Sequence, residues 1–219
     1  MKQLDLIRQT YENHTAGPIN KVHRFAVLVP LVEREDGNVD LLFETRAVDL
    51  DAQPGEICFP GGAMEEGETP LKTALRETCE EIGVQPADIE ILGQMDTLNN
   101  ASLSIEVFVG LLKNVTVQGE DRQKDGQAQR FSGLAPSGEE VEDVFTIPLS
   151  FFFKNKPDTY YVNMEPHVPA DFPYDRIGQT ADYPWGRYRY SVKVYDWPGR
   201  YLWGMTAKIV ERFVSLLQG

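Results

Sequence analysis

Apolar and polar positions along this chain fall mostly into short runs of strand length, and few stretches carry a helical period. Phe25–Glu33 and Val39–Thr45 are apolar runs joined by Asp36-Gly37-Asn38, a turn signal, and together they predict a hairpin with Arg24 and Arg46 near its ends. Residues 49–57 are polar and read as a loop, with a short strand over Glu56–Phe59. Ile89–Met95 and Ser104–Leu112 read as strands, and Val144–Leu149 returns the chain to the core. Lys113 to Glu139 shows no clear period and predicts a long excursion. The first twenty residues read as a polar lead with helical character, and Trp203–Leu217 as a closing amphipathic helix. Alternating strands with only a few helices predict an α+β fold or a mixed-sheet sandwich.

The best-defined helix lies between Thr69 and Gly83. Thr69 suits an N-cap, and Pro70 suits the first helical position, where a missing N–H costs nothing. Gly83 is a natural stop just past the end. Leu71, Ala74, Leu75, Thr78 and Ile82 recur at three- and four-residue spacing and form a stripe that predicts a core-facing side. Glu77, Glu80 and Glu81 fall on the other side, spread over roughly 100° of arc, with Glu81 nearest the stripe. Like charges at this spacing repel, so they add nothing to the helix locally. Two readings follow. The face is solvated, or it holds a hard divalent cation such as Mg²⁺ or Mn²⁺, which takes carboxylate and phosphate oxygens together. Glu68, just before the helix, is within reach of the same ion or its water shell, and Phe59-Pro60-Gly61-Gly62 leads the chain tightly into this region.

Composition narrows the function classes. A chain of 219 residues with 42% hydrophobic content can bury a sizeable core without disulfides. Cys58 and Cys79 form no paired ligand motif, and His14, His23 and His167 are scattered, so neither a stapled secreted fold nor a zinc site is expected. No apolar stretch approaches a membrane span and the N-terminus lacks a secretory apolar region, which makes a cytoplasmic setting the expectation. With 21 basic against 34 acidic residues, the net charge of -13 argues against binding a nucleic acid polymer. It leaves room for a small phosphorylated substrate, because a bound cation inverts the local field.

The pieces around the helix form a larger pattern. Gly62, Glu68, Arg76, Glu77, Glu80, Glu81, Gly83 and Val84 stand where the signature of the Nudix hydrolases asks, and the segment resembles that family. Thr78 departs from it, being small but hydroxylated, and is compatible with a core face if the hydroxyl bonds a carbonyl one turn back. The resemblance implies an α/β/α sandwich around a mixed sheet, with residues 1–21 as a lead and 22–219 as one domain. It implies that Glu77, Glu80 and Glu81 bind Mg²⁺ or Mn²⁺ and carry catalysis, with Glu68 assisting. Arg76 then acts as a structural cation that pairs with Glu68 or a neighbouring carboxylate. The base is one of these glutamates or a loop carboxylate, Glu140 or Glu142. Arg46, Gly61 and Gly62 are the substrate-side candidates.

Outside the signature the chain resembles the coenzyme A diphosphatases within that superfamily. Leu41-Leu42, Arg46, Gly55 and Phe59-Pro60-Gly61-Gly62 match their upstream stretch. Thr73-Ala74-Leu75-Arg76-Glu77, the run from Glu140 to Leu149 and Leu202-Trp203-Gly204-Met205-Thr206-Ala207 also look like that group. Asp51 stands where many members are basic, and Ala47 follows Arg46 where Ser is common. The resemblance implies cleavage of coenzyme A to 3′,5′-ADP and 4′-phosphopantetheine. The alternatives are ADP-ribose or another nucleotide-linked diphosphate, and a non-catalytic module that binds a nucleotide or protein. No membrane partner is expected, and a homodimer stays open.

Overall fold

The hairpin read from the sequence forms the middle of the main sheet: β1 (His23–Glu33) pairs antiparallel with β2 (Val39–Arg46) in a register that sets Leu31 against Leu41. A computed structural model describes residues 3–15, 19, 22–118 and 129–219. Before the sheet, α1 (Gln3–Glu12) is exposed along its whole length. Two short strands follow the hairpin. β3 (Ile57–Cys58) pairs with β2, and β4 (Gly61–Ala63) pairs with β1. The helix α2 (Pro70–Ile82) comes next, then β5 (Ile89–Gln94), β6 (Leu98–Asn99) and β7 (Leu103–Leu112). β7 runs parallel to β1 while the other pairings are antiparallel, so the sheet is mixed.

Residues 119–128, within the excursion expected over 113–139, lie outside the described residues. On either side, β8 (Thr116–Gln118) and β9 (Arg130–Ser132) pair antiparallel. Three-residue strands are too short to print an alternation, which is why the sequence there reads as aperiodic. β10 (Val141–Pro148) then closes the main sheet beside β2, in the order β10-β2-β1-β7-β5.

Side chains alternate across each strand, so the sheet has two apolar faces and each must be covered. Ala26, Leu28, Leu42 and Phe108 meet Ala74 and Ile82 of α2 on one face. Val29, Leu41, Phe43, Val107 and Phe145 meet Ile209, Val210, Phe213 and Val214 of α4 (Gly204–Gln218) on the other. A mixed sheet between helices is the architecture expected.

Residues 155–202 hold an element that went unread in the sequence. After the short α3 (Leu149–Lys154), β11 (Asp158–Met164), β12 (Tyr188–Trp197) and β13 (Arg200–Trp203) form a second, antiparallel sheet. It joins the core through Tyr195 and Leu202, on the side of α4. Among the described residues no helix is long and apolar enough to cross a membrane.

Candidate active site

The helix α2 forms where its caps place it. Thr69 is extended at φ -87, ψ 152, and its hydroxyl accepts from the Lys72 N–H at 3.4 Å. Gly83 takes the left-handed conformation at φ 72 and donates its N–H to Cys79 O at 3.1 Å. Thr78, the odd residue of the stripe, is buried and gives its hydroxyl to Ala74 O at 2.6 Å, so its polarity is satisfied inside the helix.

Arg76 ties three of the carboxylates together. Its Nε donates to Glu68 Oε1 at 2.9 Å and its Nη2 to Glu68 Oε2 at 3.1 Å, a bidentate pair. Nη1 reaches Glu77 Oε1 at 2.8 Å and Glu80 Oε2 at 3.0 Å. Glu68 also accepts from Thr73 Oγ1 at 2.7 Å and from its own turn at Glu65 N at 3.1 Å. These bonds, those from Arg76 foremost, hold the Glu68 carboxyl down at about 2.

Two glycines set the inner carboxylates. Gly61 and Gly62 lie on β4 opposite Val27 and Ala26, and Gly61 sits at φ 150, where a side chain would be driven into Ala26 O and Val27. A Cβ on Gly62 would overlap the Glu77 carboxylate. Gly61 donates its N–H to Glu81 Oε2 at 2.8 Å. The glycine pair therefore makes room for Glu77 and fixes Glu81, which is only 4% exposed.

The floor of the site is the sheet itself. On β2, Asp40, Leu42 and Glu44 share one face by the strand period, and Leu42 packs with the α2 cluster. Glu44 is 1% exposed; Cys58 Sγ donates to its Oε1 at 3.3 Å, and among the described residues its Oε2 has no hydrogen-bond partner. Burial pushes Glu44 up to about 7. Burial and then the Glu44 charge push Glu81 up to about 9, and burial also raises Glu77. Burial, with Glu44 beside it, raises Cys58 as well, which leaves the thiol inert.

A returning loop closes the far end of α2. Ala135 N donates to Ile82 O at 3.1 Å and Ser137 N to Glu81 O at 2.9 Å, which satisfies carbonyls the helix end leaves open. Glu140 O accepts from Ala47 N at 2.8 Å, and the exposed Glu140 carboxylate is close enough to raise Glu44 and Glu77. Glu142 is exposed on β10. Arg46, at the end of β2, donates from Nε to Ala52 O at 3.2 Å, and its charge lowers Glu44 and Glu81. Gly61, Gly62, Glu77, Glu81, Arg46 and Glu140 are thus gathered about one place, while Arg76 holds Glu68 and the half-exposed Glu80 at its edge.

Among the described residues no three His, Cys, Asp or Glu converge as a ready metal cluster. The donor set still fits a hard divalent ion in kind. It is all oxygen, it includes one buried carboxylate oxygen without a partner, and its inner members repel one another.

Residues 22–152 match the NUDIX domain. The chain belongs to the Nudix family. It is 37% identical over 131 residues to Nudix hydrolase 3 of Caenorhabditis elegans, covering 59% of this chain and 49% of that protein. It is 35% identical to a peroxisomal coenzyme A diphosphatase of Mus musculus, over 68% of this chain and 56% of that protein. An uncharacterized Nudix hydrolase, NudL, of Pectobacterium atrosepticum is 27% identical over 89% of this chain and 83% of its own length. The chain spans about half the length of the first two relatives.

Sequence reasoning missed Glu44 in this Nudix chain. Its signal was a carboxylate at the end of the apolar run Leu41-Leu42-Phe43, where a charge is costly unless it has work or a partner.

The opposed shifts predict how stability varies with pH. Glu44 and Glu81 are raised above an unfolded value near 4.5, so their contribution is intact below 4.5 and lost as pH climbs through 7 and 9. Glu68 is lowered, so its contribution is present above 4.5 and lost as pH falls towards 2. Thermal melts in chelator should therefore peak in the mildly acidic range and decline from there to pH 9, with Mg²⁺ recovering part of the alkaline loss. A metal-free melting temperature that rises steadily from pH 5 to 9 would contradict the clustering of these carboxylates.

Proposed function

We propose that this chain is a metal-dependent hydrolase that splits the diphosphate of a nucleoside diphosphate joined to another moiety, with coenzyme A as its substrate. The observation that carries the general reading is the glycine-backed set of carboxylates on α2, with Glu81 fixed by the Gly61 N–H and Glu77 seated against Gly62. The narrower reading is supported by Leu41-Leu42, Arg46, Gly55 and Phe59-Pro60-Gly61-Gly62, and by the likeness to the mouse coenzyme A diphosphatase.

In this reading Glu77, Glu80 and Glu81 hold Mg²⁺ or Mn²⁺, which supplies charge neutralisation for the diphosphate. The Gly61 N–H keeps Glu81 in place. Arg76, itself gripped by Glu68, sets the rotamers of Glu77 and Glu80, and with both oxygens engaged Glu68 acts through Arg76. Arg46, at the rim, meets a phosphate. Glu140, exposed beside the cluster, takes a proton from the attacking water. Water oxygen bonds to one phosphorus, the bridging P–O bond breaks, and the second phosphate leaves as an anion. From coenzyme A the products are 3′,5′-ADP and 4′-phosphopantetheine.

One observation favours ADP-ribose as the second reading. Asp51 is exposed in the loop whose Ala52 carbonyl holds Arg46, and an acid there disfavours the extra 3′-phosphate of coenzyme A. A panel of coenzyme A, ADP-ribose and diadenosine polyphosphates, run with Mg²⁺ and then Mn²⁺ and read by product chromatography, separates these. Coenzyme A cleavage to the two named products is expected. ADP-ribose cleavage with coenzyme A untouched selects the second reading, and tight nucleotide binding without product in any metal points to a binding module.

A further inference from the structure

Two carboxylates of β2 are buried on the face that carries α2, and the chain treats them differently. Asp40 is fully supplied. Arg34 donates Nε to Asp40 Oδ1 at 2.8 Å and Nη2 to Oδ2 at 2.6 Å, and Thr146 Oγ1 adds a bond at 2.8 Å. Among the described residues Glu44, four residues on, receives one thiol hydrogen bond on Oε1 and nothing on Oε2. Neither protonation state of Glu44 is satisfied by its neighbours. If ionised, Oε2 lacks a donor; if neutral, a proton on Oε2 lacks an acceptor. Burying such a group costs free energy that packing does not return, and Glu81 and Glu77 stand close enough to repel it. Arg46 is engaged at Ala52 O through its Nε, so that nitrogen does not supply the missing bond.

We infer that Glu44 is a further carboxylate ligand of the divalent cation, reaching it from the sheet while Glu77 and Glu81 reach it from the helix. The inference rests on the metal site proposed for α2. It explains in one step why an acid is kept where β2 passes under α2, why one of its oxygens faces no protein donor, and why it sits beside a second buried acid. A cation between sheet and helix joins the two layers through oxygens that otherwise push them apart. Cys58 then orients Glu44 by holding Oε1, leaving Oε2 to the ion.

The test is Mn²⁺ binding by calorimetry at pH 7.5 on the full chain, beside thermal melts in chelator, for wild type, Glu44→Gln, Glu81→Gln and Cys58→Ala. Glu44→Gln keeps shape and loses charge. It should bind Mn²⁺ at least about tenfold more weakly, as fewer anionic ligands lower affinity for a hard cation. Its metal-free melting temperature should equal or exceed wild type, since one of two repelling carboxylates is neutralised. Cys58→Ala should stay much nearer wild type in Mn²⁺ affinity, because it removes the orienting thiol and leaves the ligand. A folded Glu44→Gln that binds Mn²⁺ like wild type, while Glu81→Gln does not, overturns the inference and leaves the α2 site standing. Wild type that binds no Mn²⁺ overturns both.

Discussion

Glu81→Gln should cut metal-dependent turnover by about a thousandfold while making the metal-free protein more stable at pH 8. The loss follows from charge. The amide keeps the shape and still offers an oxygen to the Gly61 N–H, which now bonds Glu81 Oε2 at 2.8 Å, so the fold is retained. What disappears is an anionic ligand for the ion, and several kcal/mol of charge stabilisation amount to roughly three powers of ten in rate. The gain in stability has the same origin. Burial and Glu44 push Glu81 up to about 9, so at pH 8 the folded chain carries a proton-binding burden that the unfolded chain lacks, and glutamine removes it. Opposite signs for activity and stability distinguish a working carboxylate from a structural one. Initial rates with Mg²⁺ and melting curves in chelator check both.

Phe59→Ala should destabilise the chain by about 3–5 kcal/mol, the usual range for emptying a buried aromatic site. Phe59 is buried and stacks on Phe43 with ring centroids 4.8 Å apart, and Phe43 stacks in turn on Phe145. In a chain of this size the melting temperature should fall by about 6–20 °C. The effect reaches the site because Phe59 anchors the segment that carries Gly61 and Gly62. Pro60 O accepts from Leu28 N at 3.0 Å one residue later, and Gly61 N holds Glu81. Turnover measured below the lowered melting temperature should therefore fall as well, while Phe59→Leu should keep most of both.

The parts of the fold that were legible are those whose signals are local. Thr69, Pro70 and Gly83 mark both ends of α2 by backbone chemistry alone, and Asp36-Gly37-Asn38 marks the hairpin. The Nudix resemblance implies that Arg76 pairs with Glu68 or a neighbouring carboxylate, and the structure pairs it with Glu68 in a bidentate bond and with Glu77 and Glu80 besides. The second sheet was not legible. β11 is exposed at every position, so Asp158–Met164 carries no buried-exposed alternation, and the link of β12 to the core rests chiefly on Tyr195. The seat of the 135–137 loop on the end of α2 was also hidden, because its bonds run between backbone groups far apart in sequence. Glu44 stood in plain view as a charge in an apolar strand. Its face and its neighbour Glu81 become apparent only once β2 passes under α2.

Metal-dependent cleavage of a diphosphate by the α2 carboxylates is the step on which the proposed function stands. It is tested most directly by ³¹P NMR of coenzyme A and ADP-ribose incubated with Mg²⁺ and either wild type or a folded Glu77→Gln/Glu81→Gln double variant. The expected result is that wild type converts the diphosphate resonances of its substrate to phosphomonoesters, that chelator stops it, and that the double variant leaves the diphosphate intact. Turnover by the double variant at the wild-type rate would overturn the proposed role of these carboxylates.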